Sequence, residues 1–303
     1  MPVIAVVGPT ATGKSDLALD VAELLGGPAA AEVVNADAMQ LYRGMDVGTA
    51  KLAPAERRGI AHHRLDVLDV TDEANVAAYQ VEARADIDAI MARGRRALLV
   101  GGSGLYIRAA IDVLEFPGTD ADVRARLEQR AEEHGARPLH DELARRDPVA
   151  AGRILPANVR RVVRALEVIE LTGRPYSAAM PDHTYHLPAV QVAIDVPRDQ
   201  LDKRIAARAR TMLDGGLLAE TERLLAAGLA RGRTASRAVG YAQAIAVVEG
   251  RMGLDEAHEV IAIATRQLAR RQEKWFRRDP RLVWLAPEEA TAERVVSLIP
   301  AGR

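Results

Sequence analysis

Gly8-Pro9-Thr10-Ala11-Thr12-Gly13-Lys14-Ser15 follows the apolar run Val3-Ile4-Ala5-Val6-Val7 and matches the phosphate-binding pattern G-x-x-x-x-G-K-[ST] in full. The apolar run reads as a buried parallel strand, and Lys14 through Leu25 as an amphipathic helix. That is the strand–loop–helix context the pattern needs. In such a loop the backbone N–H groups point inward, the helix N-terminus adds its positive end, and Lys14 adds a full charge. The Ser15 hydroxyl is placed to ligate Mg²⁺. Residues Gly8, Pro9, Thr10, Ala11, Thr12, Gly13, Lys14 and Ser15 are therefore expected to cradle a diphosphate or a nucleotide, with Ser15 as the metal ligand.

The 303 residues, 49% of them hydrophobic, suffice for a large α/β core with or without an insertion. No apolar run approaches the about 20 residues of a membrane span, so no membrane association is expected. Met1-Pro2 leads straight into the first strand, without the pattern of a signal peptide. Zero cysteines exclude disulfides and thiolate metal sites, which suits a cytoplasmic location. A net charge of −1 carries no global sign of nucleic-acid binding, so any such role must rest on local basic patches. Aromatic content of 3% rules out a broad base-stacking surface.

Further along, Ala31-Glu32-Val33-Val34-Asn35 reads as a second strand, followed by Ala36-Asp37-Ala38-Met39-Gln40. Asp72 is a candidate cap for a helix from about Asn75 to Ala92, stopped by Gly94. Ala97-Leu98-Leu99-Val100 is another strand, ending in Gly101-Gly102-Ser103-Gly104. Alternating strands and helices imply a parallel sheet whose ligands collect at the C-terminal strand ends. All three strands end in special sequence, which places one site there. From about Pro117 the chain changes character. Asp120–Glu133, Pro138–Arg146 and Pro156–Thr172 read as consecutive helices, before a strand returns at Val190–Val196 and a helix starts at Arg198. A late strand is expected at Leu282–Leu285. The fold class is thus α/β, a P-loop NTPase-like parallel sheet core (1–117 and 188–303) with a helical insertion (118–187) and a largely helical C-terminal part.

A standard P-loop NTPase carries a second acid after a later strand, where it helps hold Mg²⁺. Here the Ala97–Val100 strand ends in Gly-Gly-Ser-Gly instead. The nearby acid is Asp37, which suits a general base acting on an acceptor, although a turn-capping role fits it and Asn35 equally well. The stretch Asn35-Ala-Asp-Ala-Met-Gln-Leu-Tyr-Arg-Gly-Met-Asp-Val-Gly-Thr-Ala-Lys51 resembles the signature of bacterial tRNA dimethylallyltransferases (tRNA isopentenyltransferases). So do the phosphate loop, Val100-Gly-Gly-Ser-Gly-Leu-Tyr106, His62-His63-Arg64-Leu65-Asp66, Asn158-Val-Arg-Arg-Val-Val-Arg-Ala-Leu-Glu-Val168, Val239-Gly-Tyr-Ala-Gln243 and Arg270-Arg-Gln-Glu-Lys-Trp-Phe-Arg277. The resemblance runs in order from residue 3 to about 278.

It implies transfer of a dimethylallyl group from dimethylallyl diphosphate to N6 of the adenosine 3′-adjacent to the anticodon, in tRNAs reading U-starting codons. By position, Asp37 matches the family's general base and Ser103 its channel hydroxyl, usually threonine. Arg208, in Arg204-Ile-Ala-Ala-Arg208, matches the arginine that grips the diphosphate, with Arg210 the alternative if the alignment slips. Mg²⁺ on Ser15 is implied as cofactor. Contacts to the tRNA anticodon stem-loop are implied for Asp37, Ala38, Met39 and Gln40, for Arg160, Arg161 and Arg164 on the insertion, and for Gly240, Tyr241 and Gln243. A second basic cluster (Arg266, Arg270, Arg271, Lys274, Arg277, Arg278) packs six cations into thirteen positions; both clusters read as solvated helix faces or as RNA phosphate contacts. A monomer is expected, since a tRNA already covers much surface.

Three other signals are set aside. Asp66-x-x-Asp69-x-x-Asp72 reads as a strand end plus cap rather than a metal motif, His62-His63 lacks a third ligand, and Gly101–Gly104 lacks a dinucleotide or hydrolase pattern. The competing functions are an ATP-dependent small-molecule kinase, with a P-loop and an acid after strand two, and a non-catalytic RNA-binding ATPase switch.

Overall fold

Strand β1 (Val3–Val7) is buried at every residue, as expected of a strand covered on both faces. The chain turns through the phosphate loop into α1 (Lys14–Leu24), whose Leu17, Ala18, Val21 and Ala22 face the core. Strand β2 (Ala31–Asn35), β3 (His62–His63), α2 (Val76–Ala92), β4 (Arg96–Gly101) and α3 (Gly104–Ile111) follow. The computed structural model describes residues 1–179 and 183–300. These divide into two compact units, one of Met1–Asp112 with Tyr185–Arg303 and one of Val113–Thr184.

The second unit holds α4 (Ala121–His134), α5 (Ala136–Arg146), α6 (Pro148–Arg153) and α7 (Val159–Thr172) around Leu127, Leu139, Leu143, Val163 and Leu166. Asp120 caps α4 and Asp147 caps α6 through side-chain bonds to the first-turn N–H groups. The short α6 is absent from the sequence reading, although Asp147-Pro148 is a fair helix start. Helix α5 starts ahead of Pro138, which sits in its first turn where a missing N–H costs nothing.

The chain returns through β5 (Ala189–Ile194), α8 (Arg198–Asp214), α9 (Leu217–Ala226), α10 (Tyr241–Val248), α11 (Leu254–Phe276), β6 (Leu282–Leu285) and α12 (Ala292–Ser297). The six strands form one sheet in the order β3-β2-β4-β1-β5-β6. Every pairing in it is parallel. One local expectation fails. Asn75, not Asp72, caps α2, because its Oδ1 accepts from Ala77 and Ala78, while Asp72 closes a turn by accepting from Asp69 N–H. The edge strand β3 was not foreseen, since two residues carry no periodic signal. No helix among the described residues is long and apolar enough to cross a membrane.

Register brings the site together. Val7 pairs with Gly101 and Asn35 with Val100, so three strands stop level. A Cβ on Gly101 would lie 2.3 Å from the carbonyl carbon and oxygen of Ala36. Only glycine lets β4 pass that close to the segment leading to Asp37. Gly101→Ala must force two backbones apart, a strain of about 1–3 kcal/mol on the scale of overpacked cores. Chemical denaturation should show that loss, together with a loss of activity larger than the stability change accounts for.

Candidate active site

The phosphate loop holds its shape from within. Gly8, Ala11 and Gly13 all have positive φ, and the buried Thr12 hydroxyl donates to Pro9 O at 3.0 Å. Lys14 Nζ donates to the same carbonyl at 2.5 Å. Gly8, Pro9 and Thr12 thus shape the loop, while Thr10, Ala11, Gly13, Lys14 and Ser15 line a cavity of about 590 Å³.

Asp37 also lines it, at the end of a turn built by Asn35. Asn35 Oδ1 accepts from Asp37 N–H at 3.0 Å, and its Nδ2 donates to the carbonyls of Asp37 and Arg64. One Asp37 carboxylate oxygen accepts from Met39 N–H at 2.9 Å. Asn35 and Asp37 thus each cap a turn, Asn35 at Asp37 N–H and Asp37 at Met39 N–H, and Asp37 also lines the cavity. Beyond it, residues 38–51 are folded back by two buried charges. Lys51 Nζ donates to Tyr42 O, Asp46 and Asp66 within 2.8 Å. The Glu220 carboxylate, from α9, accepts from the N–H groups of Asp46, Val47 and Gly48 and from the Tyr241 hydroxyl. This delivers the Thr49 carbonyl to the cavity, where Gln40 Nε2 and Arg208 both donate to it at 3.2 Å.

Arg208, on α8, also donates to Thr10 Oγ1 at 3.3 Å and lines the cavity. Arg210 instead pairs with Asp255 and is not among the residues lining the cavity. Arg204, one turn earlier, lines the cavity too. Lys14 and Arg208 face Asp37 across it. Burial pushes the Lys14 ammonium down to about 8, and the Arg208 cation adds to that fall, with Asp37 opposing it. Burial likewise lowers Arg208, again opposed by Asp37. Three cations (Lys14, Arg204 and Arg208) against two carboxylates (Asp16 and Asp37) leave the cavity short of negative charge. A second, mainly apolar cavity of about 90 Å³ adjoins the first at Thr10, Asp37 and Arg208, walled by Met39, Ile205, Met212, Ile261 and Leu268.

The Ser15 hydroxyl lines the main cavity and makes no hydrogen bond among the described residues, nor do those residues contain a cluster of His, Asp or Glu able to hold a metal by itself. One neutral oxygen beside a phosphate cradle suits Mg²⁺, which keeps several waters and draws ligands from the phosphates.

Other expected site residues lie elsewhere. Ser103 is not among the residues lining the cavity; its Oγ accepts from Ala38 N–H at 3.0 Å and so braces the Asp37 segment. Tyr241, expected at the RNA, is fully buried with its hydroxyl on Glu220. Gly240 is buried beside Gly48, and Gln243 accepts from Gly240 N–H to cap α10. Gly240 and Tyr241 are thus buried, while Gln243 is partly exposed. Arg160 and Arg161 are exposed, but Arg164 donates to Pro117 O, Gly118 O and the buried Glu167, which also holds Arg124. Arg164 is thus spent on structure. In the C-terminal cluster Arg277 is paired with Asp195 and stacked on Trp284, while Arg270, Arg271, Lys274 and Arg278 stay exposed. Trp275 covers Gly104, and Phe276 is buried. His63 meets Glu32, and His62 meets Ile60 O.

The sequence assigns no role to Gln272, Glu220, Lys51 or Thr49, although all but Glu220 lie within the blocks that carry the resemblance. Gln272, on α11, accepts from Thr10 N–H and donates to Gly102 O, both at 2.9 Å. Glu220 and Gln272 carry no local signal of these contacts because their partners lie far off in the chain, whereas Lys51 meets Asp46, Tyr42 and Asp66 nearby.

A phosphate loop, a facing carboxylate and an adjoining apolar pocket define an enzyme that works on an organic phosphate ester. A profile of the family described as IPP transferase matches residues 40–279. The chain is 58% identical over its whole length to a tRNA dimethylallyltransferase of Kineococcus radiotolerans, of which it covers 98%. It is likewise 58% identical to a tRNA dimethylallyltransferase of Streptomyces coelicolor, over 94% of this chain and 90% of that one. Among solved structures, the tRNA isopentenylpyrophosphate transferase of Bacillus halodurans superposes with TM-score 0.69 at 36% identity, covering 98% of this chain and 94% of that one. A eukaryotic dimethylallyltransferase acting on tRNA gives TM-score 0.80 at 25% identity, over 96% of this chain and 74% of that one. The chain belongs to the IPP transferase family.

The Lys14 shift carries a pH dependence. The ammonium is charged below about 8 and neutral above it in the ligand-free protein, so affinity for an anion falls as pH rises through that value. Titrating a non-reactive alkyl diphosphate from pH 7.5 to 9.5 should show the Kd rising. In Lys14→Arg, weaker binding should be flat across the same window.

Proposed function

We infer that the protein transfers the dimethylallyl group of dimethylallyl diphosphate to N6 of the adenosine 3′-adjacent to a tRNA anticodon, releasing diphosphate. Family membership supports the reaction, and one feature of the cavity carries its details: a cationic wall of Lys14 and Arg208 faces the Asp37 carboxylate. The N6 lone pair attacks the allylic carbon, a C–N bond forms, the C–O bond breaks, and its electron pair leaves with the diphosphate. The exocyclic amine is a weak nucleophile because its lone pair is delocalised into the ring. Asp37 takes the N6 proton as the new bond forms. Phosphate-loop N–H groups, Lys14 and Arg208 hold the charge that builds on the leaving group. Ser15 is the residue that would hold Mg²⁺, which when bound supplies further positive charge beside the diphosphate. The apolar cavity matches a five-carbon allylic chain in chemistry, and its overlap with the main cavity at Asp37 supports that assignment.

The adenine must leave its stack to reach such a cavity. Exposed Arg160 and Arg161 in the second unit, and Arg270, Arg271, Lys274 and Arg278 on and after α11, are suited to the anticodon arm. The acting unit is a monomer on this reading, since one chain supplies every group named. A tRNA substrate and a chain without cysteine suit the cytoplasm. The tRNAs are those reading U-starting codons, as the resemblance implies.

Incubation with labelled dimethylallyl diphosphate, labelled ATP and unmodified tRNA tests the reaction. Prenyl label should reach tRNA and be lost in Asp37→Ala; ATP turnover without prenyl transfer would favour a kinase. Arg160→Ala with Arg161→Ala should raise the KM for tRNA about tenfold, on the scale of two lost phosphate contacts, and leave the KM for the donor alone. Arg164→Ala should instead lower the melting temperature, because it strips a partner from buried Glu167.

A further inference from the structure

Gln272 joins the two halves of the site. Its carboxamide oxygen accepts from Thr10 N–H, and its nitrogen donates to Gly102 O. The side chain lines the apolar cavity beside Asp37 and Arg208. The fit is close, since a Cβ on Gly102 would lie 2.5 Å from Gln272 Nε2. Each partner leads on to a working group. Thr10 Oγ1 accepts from Arg208. Gly102 precedes Ser103, whose Oγ accepts from Ala38 N–H next to Asp37. One amide thus closes a chain from the leaving-group side, Arg208 and Thr10, to the base side, Ser103 and Asp37.

We propose that Gln272 is a positioning residue for prenyl transfer, setting the separation between the wall that holds the diphosphate and the wall that carries the base. The proposal rests on the prenyl-transfer reading above. Its physical basis is alignment: nucleophile, allylic carbon and leaving oxygen must lie in line, and a misplacement of about 1 Å costs on the order of 100-fold in rate. An amide suits the post because a single planar group accepts on one edge and donates on the other. A carboxylate accepts from Thr10 but cannot donate to Gly102, and it adds negative charge where a diphosphate binds. An aliphatic side chain does neither.

Gln272→Met keeps the length and apolar volume while removing both bonds. Its kcat for prenyl transfer should fall about 10- to 100-fold, with the KM for donor and for tRNA each within threefold of the parent and the melting temperature nearly unchanged. Gln272→Glu supplies a readout that a packing role would not move. Once protonated, its carboxyl both accepts and donates, so its kcat relative to the parent should climb as pH is lowered from 8.5 to 5.5, while the Met ratio stays flat. A Met variant within threefold of the parent kcat would overturn the proposal. So would a Glu ratio that does not change with pH, which also decides the matter if the Met variant fails to fold. A parent protein that transfers no prenyl group would refute the underlying reaction instead, whereas an active parent with an unaffected Met variant refutes the role of Gln272 alone.

Discussion

Val7 lies level with Gly101, and Asn35 with Val100, because the strands are parallel and share one register. The shared edge of the site follows from that alignment. The sheet runs all its strands in one direction, so each carries its following loop to the same edge. The close pass of Gly101 against Ala36 then converts a shared edge into one cavity. A one-residue slip of β4 would turn its side chains over and move Ser103 away from Ala38.

Charged groups divide into two kinds around this edge. Lys51 and Glu220 are buried and nearly saturated with hydrogen bonds, three for the ammonium and four for the carboxylate. Their desolvation cost is met within the protein, and together they fold residues 38–51 into a stiff wall. Lys14 and Arg208 are different. They are desolvated with incomplete compensation, which is why the Lys14 ammonium sits about at 8 rather than near its ordinary value. Such a deficit is relieved by a bound anion and marks a working site.

Legibility in the sequence followed the distance between interacting residues. The phosphate loop was plain because pattern, strand and helix are contiguous, and Asp37 because it sits two residues past a strand end. The Asn35–Lys51 block was legible as a resemblance, but not how it folds, since Lys51 reaches Asp66 and the loop's N–H groups meet Glu220. Tyr241 lies in a block whose resemblance implies RNA contact, and its burial against Glu220, 21 residues away, is not visible in that block. Arg164 looked like its exposed neighbours Arg160 and Arg161 until helix phase turned it toward Glu167.

Read as a linear string, the residues specify a phosphate-binding loop on a parallel α/β sheet, a carboxylate near it, and membership of a prenyl-transferring class. Those are properties of short segments, where covalent spacing dictates which groups meet. Tertiary structure alone decided that Arg208 rather than Arg210 faces the cavity, that Ser103 braces Asp37 from behind, and that Gln272 ties the loop at Thr10 to the turn at Gly102. Arg208 and Gln272 depend on how a helix is rotated against the sheet, and Ser103 on the register of β4; both are settled by the packing of the whole core, beyond the reach of any local pattern.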